Sequence, residues 1–158
     1  MLYEIIENQK DTLYPENYEI PSYITDNLKF PLYEWQKTAL ENFLINERTR
    51  AINAKKGAVL PPNHVMFNMA TGSGKTLIMA ALILYYYKQG YRNFIFFVNQ
   101  NAILGKTQAN FINKNHNKYL FKENVVIDGV PLNFKEVEMF SNFCGAETIQ
   151  IKFTTIQK

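Results

Sequence analysis

Three features of the sequence predict a three-layer α/β fold with a parallel sheet. Short apolar runs at His64–Met69 (HVMFNM), Asn93–Val98 (NFIFFV) and Thr148–Phe153 (TIQIKF) read as strands, mostly of the kind covered on both faces. Segments of helical length separate them, giving the order βαβαβ. A glycine-rich turn, MATGSGKT at 69–76, joins the first strand to the next helix. Crossovers in such a fold are right-handed, and ligands gather at the carboxyl ends of the strands. Met69–Thr76 falls at such an end.

Taken in order, residues 1–29 mix polar and aromatic residues around Pro15 and Pro21 and read as an irregular lead-in. From about Tyr33 to Arg48, Trp35, Ala39, Leu40, Phe43 and Leu44 recur at helical spacing. INERTRAINAKKGAVLPPN, with its two prolines and scattered charge, reads as a surface loop. A helix opening near Gly74 runs through LIMAALILYYYKQ. It is apolar nearly all round, hence largely buried, and Gly90 stands where its C-terminal cap belongs. Asn101 is placed to cap a further helix, with Ile103, Leu104, Thr107 and Phe111 on one face. The polar, Asn-rich NKNHNKYLFKEN suggests no function. VVIDGVPLNFKEVEMFSNF reads as a short strand, a turn at Asp128-Gly129 and a short helix.

Composition sets bounds on these readings. A chain of 158 residues with 47% apolar and 20% charged residues can bury one sizeable core and is not disordered. With 12 Phe and 10 Tyr, that core should lean on rings. Seventeen basic against 14 acidic residues leave +3, too little to argue nucleic-acid binding from charge. Cys144 is single, which excludes an internal disulfide or a cysteine metal site and points to a reducing compartment. The start MLYEIIENQKDT lacks the basic-then-apolar form of a signal peptide. Leu77–Tyr87, the longest apolar stretch, falls short of the ~20 residues of a membrane span. A cytoplasmic protein is expected.

MATGSGKT carries the chemistry. Gly72 and Gly74 let the backbone take positive φ and approach an anion with no Cβ in the way. Amides from about Gly72 to Thr76, with Thr71 and Ser73 in the same turn, then form a nest at the positive end of a helix. Lys75 supplies a point charge for the β and γ phosphates of ATP, and the Thr76 hydroxyl completes a Mg²⁺ shell. Met69 stands where the general pattern has its first glycine. The bland alternative is a glycine-rich strand-to-helix turn with no ligand.

With Ala-Thr-Gly in place of that first glycine, MATGSGKT resembles motif I of superfamily 2 helicases and translocases. LYEWQKTALENFL resembles the segment leading their first RecA-like lobe, in which a glutamine reads the adenine edge; Gln36 matches it. Phe30 or Tyr33 is then placed to stack on the base, although rings in so aromatic a chain also serve the core. FIFFVNQNAIL resembles motif Ia, which touches the nucleic-acid backbone, and IKFTTIQK the strand and threonines before motif II. From FFVNQNAILGKTQANF through KYLF to FTTIQ, order and spacing are most similar to the restriction (Res) subunits of type III, and less closely type I, restriction–modification systems. The resemblance covers about residues 30–158. It implies an incomplete RecA-like P-loop NTPase domain over 30–158, with DNA contacts from Asn99, Gln100, Lys106, Thr154 and Thr155. Each keeps a plainer reading: Gln36 as a solvated helix residue, Asn99 and Gln100 as turn and cap.

The resemblance also implies what lies elsewhere. Phosphoryl transfer needs an acidic residue for Mg²⁺, a water-orienting group and usually an arginine finger. The family's acidic pair follows FTTIQ, and Asp128 in VVIDG, with Gly129 next, reads as a turn rather than that pair. The chain is therefore expected to be the N-terminal piece of a longer polypeptide with a second RecA-like lobe and a nuclease domain. Such a piece binds nucleotide weakly and does not hydrolyse it. The expected whole is an ATP-dependent restriction endonuclease motor acting on DNA with a modification methyltransferase subunit. The alternatives are the ATP-binding lobe of another superfamily 2 DNA or RNA helicase, or a nucleotide-binding module without chemistry.

Overall fold

The structure, a computed structural model, describes residues 4, 6, 8, 19–142 and 145–155. Cys144, nearly all of the N-terminal MLYEIIENQKDT, Pro15, and the final Ile156, Gln157 and Lys158 lie outside the described residues. The chain is α/β and divides into two compact units, Met1–Pro21 with Leu32–Ile78, and Ser22–Pro31 with Met79–Lys158. Among the described residues, no helix is long and apolar enough to cross a membrane.

In the first unit the dominant element is a helix, Glu34–Lys55. It is seven residues longer than the predicted end at Arg48, so the stretch expected as loop is helical to Lys55. Between Thr49 and Lys55 no proline or glycine interrupts, and Ala51 and Ala54 favour the helix. Gly57, at φ 86°, ends it. The Ala58 amide donates to Asn53 O and that of Gly57 to Ala54 O, both bonds of a Schellman cap. The buried stripe is Gln36, Leu40, Phe43, Leu44 and Ile45, whereas Trp35 is 54% exposed. The predicted stripe is thus displaced by one position at its N-terminal end.

His64–Met69 was expected as the first strand, but it forms no ladder among the described residues. It is extended in character, with Val65, Phe67 and Met69 more covered than Met66 and Asn68. The Phe67 ring packs against Phe43 of the long helix, centroids 6.1 Å apart. An apolar run does not by itself record what covers it, and here Phe67 meets a helix rather than a neighbouring strand.

In the second unit, Ser22–Thr25 is a short helix, α1; the long helix above is α2, and α3 spans Lys75–Lys88, beginning in the first unit. Strand β1 is Asn93–Val98, helix α4 Asn101–Ile112, β2 Val126–Ile127, β3 Val130–Pro131, β4 Asn133–Glu136 and β5 Thr148–Thr155. The main sheet has the order β1-β5-β4, with both neighbours parallel to β5. Asn93 pairs with Gln150 and Val98 with Thr155. The short helix expected within VVIDGVPLNFKEVEMFSNF is absent among the described residues; the segment instead holds β4, whose Asn133–Glu136 align with Thr148–Ile151. Pairing to a central strand overrides weak local preference there.

Most other elements follow the sequence. Leu77, Ile78, Ala80, Ala81, Ile83, Leu84 and Tyr87 of α3 are buried. Past its end, Gly90 takes φ 98°, Tyr91 N–H donates to Tyr86 O and Gly90 N–H to Tyr87 O, again a Schellman cap. Asp128 (φ 53°) and Gly129 (φ 76°) form the tight turn between β2 and β3, as predicted. The Asp128 carboxylate accepts from Lys88 Nζ at 2.6 and 2.5 Å. Asn101 is the first residue of α4 rather than its cap; Gln100 occupies the cap position, without a side-chain bond. Residues 22–31, read as lead-in and its edge, are tied into this unit by Asn27. Its amide donates to Val126 O and accepts from Val126 N–H, both at 2.9 Å.

Tyr119 is 2% exposed, and among the described residues its hydroxyl has no hydrogen-bond partner. Burial pushes its pKa from 10.0 up to about 12. A buried, unsatisfied hydroxyl costs ~1–3 kcal/mol, so Tyr119→Phe is expected to stabilise the protein by about 1 kcal/mol in urea unfolding. Since the unfolded chain ionises first, wild-type stability should also fall as pH rises from 10 towards 12, and the variant should lose that slope. A variant less stable than wild type would reveal a partner for the hydroxyl.

Candidate nucleotide site

The predicted phosphate loop lies in the first unit, at the N-terminus of α3. Gly72 (φ 83°) and Gly74 (φ 80°) both occupy the left-handed region, as the loop chemistry requires. Between them the chain folds tightly: Ser73 N–H donates to Ala70 O at 3.2 Å, and Ser73 Oγ donates to the same carbonyl at 2.7 Å. The helix then starts at Lys75, with Leu77 N–H donating to Gly74 O at 2.9 Å. Unpaired amides at a helix start attract negative charge.

Lys75 bends back over the loop. Its Nζ donates to Met69 O at 3.0 Å and Ala70 O at 2.8 Å, so the ammonium sits across the turn rather than extending into solvent. Thr71 and Gly72 are exposed, while Ser73, Gly74, Lys75 and Thr76 are half-buried. The Thr76 hydroxyl can supply one oxygen to Mg²⁺, an ion that takes most of its ligands from phosphate and water. Among the described residues there is no ready-made cluster of three metal-ligating side chains.

Gln36 comes to the same loop. It is 1% exposed, which sets aside its reading as a solvated helix residue. Its Oε1 accepts from Tyr33 N–H at 2.9 Å, and its Nε2 donates to Ser73 O at 2.9 Å and lies 3.4 Å from Gly74 O. A Cβ on Gly74 would collide with Gln36 Nε2. Glycine at this position is required by its φ of 80°, and a side chain here would also have to displace the Gln36 amide.

Trp35 was not recognised as part of the site from the sequence. Its Nε1–H donates to Ser73 O at 3.2 Å, and its ring stacks on Tyr33 at 4.6 Å and 16°. Helical spacing counted it into the apolar stripe of α2, and the one signal pointing elsewhere was its position directly before Gln36. Phe30, the other ring considered for base stacking, belongs to the second unit.

The residues expected at nucleic acid lie in the second unit, most of them at one sheet end. Thr154 and Thr155 pair with Phe97 and Val98 at the carboxyl ends of β5 and β1, and Asn99 and Gln100 follow β1 directly. Both are exposed, as is Lys106 farther along α4.

The sequence profile of the family described as "Type III restriction enzyme, res subunit" matches residues 29–158. The chain belongs to that family. It is also 46% identical, over 161 residues, to the probable type III restriction-modification enzyme HindVIP Res subunit of Haemophilus influenzae. That alignment takes in 99% of this chain and 31% of the relative, so the chain spans about a third of that relative's length. No solved structure matches it.

Proposed function

We propose that this chain of the Res family is the ATP-binding part of a DNA-dependent motor, the first RecA-like lobe of a restriction subunit. The observation that carries the reading is the loop itself: two left-handed glycines, Lys75 across them, and Gln36 docked on the Ser73–Gly74 peptide. Backbone amides near Gly72–Thr76 cradle the phosphates, Lys75 neutralises the β and γ oxygens, and Thr76 holds Mg²⁺. Gln36 recognises the adenine edge. Asn99, Gln100, Lys106, Thr154 and Thr155 contact the DNA backbone. The partners are DNA, a modification methyltransferase subunit, and the second RecA-like lobe and nuclease domain of a longer polypeptide in the cytoplasm. ATP bound here supplies the free energy of translocation.

In the polypeptide of full natural length, Mg²⁺-dependent ATP hydrolysis should rise when duplex DNA is added. The 158-residue chain alone should show no turnover, because the water-orienting and arginine groups that phosphoryl transfer needs are supplied from elsewhere. Hydrolysis by the chain alone, or a full-length ATPase indifferent to DNA, would refute the corresponding half of this reading.

A further inference from the structure

One carbonyl in the glycine loop is held from two sides. Ser73 O accepts from Trp35 Nε1 at 3.2 Å and from Gln36 Nε2 at 2.9 Å, both donors lying in the first turn of α2. The peptide linking Ser73 to Gly74 is planar and trans, so its N–H points opposite to its C=O. Drawing the carbonyl towards α2 therefore turns the Gly74 N–H away from α2. Gly74 has no side chain and tolerates either sign of φ, so nothing intrinsic to the residue prevents this peptide from flipping. A flipped peptide would present oxygen, not N–H, to an anion in the loop.

We propose that Trp35 is a positioning residue for the phosphate cradle, its indole N–H fixing the Ser73–Gly74 peptide with the Gly74 amide available to a phosphate. The inference rests on the nucleotide-binding reading of the loop. It assigns Trp35 a part that Gln36 cannot fill alone. The Gln36 amide is divided among Tyr33 N–H, Ser73 O and Gly74 O, and a Gln36 that turns to a base edge relinquishes the carbonyl. Trp35 then remains on it. Stacking on Tyr33 keeps the indole plane in place, and an exposure of 54% shows that the ring is not there to fill the core.

Trp35→Phe tests this, since it keeps an aromatic ring for Tyr33 and removes the indole N–H. The probes are ATP and inorganic tripolyphosphate, with Lys75→Ala as reference. Loss of one hydrogen bond should weaken both ligands by a similar factor, about three- to tenfold, with the thermal midpoint unchanged. The Gly74 amide resonance should also shift before any ligand is added. Unaltered tripolyphosphate affinity overturns the proposal whether or not ATP affinity falls, because a ring that merely stacks on the base affects nucleotides alone. An unmoved Gly74 resonance overturns it as well. If Lys75→Ala leaves tripolyphosphate binding intact, the failure is of the loop as a phosphate site, and the role of Trp35 falls with it.

Discussion

Replacing Phe111 by alanine is expected to cost ~3–5 kcal/mol. Phe111 is the one fully buried residue of α4, at 0% exposure, and it joins that helix to the sheet. Its ring centroid lies 4.6 Å from that of Phe96 on β1, 6.3 Å from Phe153 on β5 and 6.0 Å from Phe121. Phe121 in turn stacks on Phe134 of β4 at 4.0 Å. One truncation therefore removes contacts to rings anchored on two strands, and the rigid partners leave a cavity they cannot close. Amide hydrogen exchange localises the effect: protection across β1 and β5 should fall together with the urea midpoint. Phe111→Leu, which keeps most of the volume, should lose less than half as much. A loss under about 1 kcal/mol for the alanine variant would mean that α4 does not depend on this ring.

That cluster also marks how far the sequence could be read. Helix α3, strand β1, strand β5 and the Asp128-Gly129 turn were legible because each carries a local, physical signal. An apolar run of the right length, a glycine just past a helix, or an Asp-Gly pair between apolar residues needs no distant partner to be interpreted. Strand β4 was not legible. LNFKE has no strong local preference, and its strand character comes from lying parallel to β5, a pairing across eleven intervening residues. His64–Met69 failed in the opposite direction: it has the composition of a strand, yet it forms no ladder among the described residues, and its Phe67 packs on Phe43 of α2. The length of α2 was within reach, since Gly57 is a stop signal of the same kind as Gly90. Charge between Arg48 and Lys56 was weighed above it, although exposed charges are at home on a helix.

At the site, the residues of the loop were legible individually and their mutual use was not. Gly72, Gly74 and Lys75 follow from a motif whose spacing encodes its geometry. Gln36 was found by resemblance, but its burial was hidden by polarity, for a pattern of apolar spacing assigns an amide to solvent. Trp35 was misplaced for the converse reason, being counted as core because it is large and apolar. Its N–H is the informative part, and hydropathy takes no account of a single donor.

Lys75→Ala should weaken ATP binding by about ten- to a hundredfold, corresponding to the ~1.5–3 kcal/mol of a charge-assisted hydrogen bond. The fold should survive, because among the described residues the Nζ group bonds to Met69 O and Ala70 O of its own loop and is not part of the core. Those two bonds also set the size of the effect. A phosphate must draw the ammonium away from two carbonyls at 3.0 and 2.8 Å, so part of the attraction offsets bonds already made. The measured loss should therefore lie nearer tenfold than a hundredfold. ADP, which lacks the γ phosphate, should be affected less than ATP. Lys75→Arg should not rescue binding, since a planar fork cannot replace a compact point charge inside so tight a turn. Titration calorimetry on the variants, with circular dichroism to verify folding, separates these outcomes. A folded Lys75→Ala variant with unchanged ATP affinity would remove the phosphates from this loop, and with them the case for a motor.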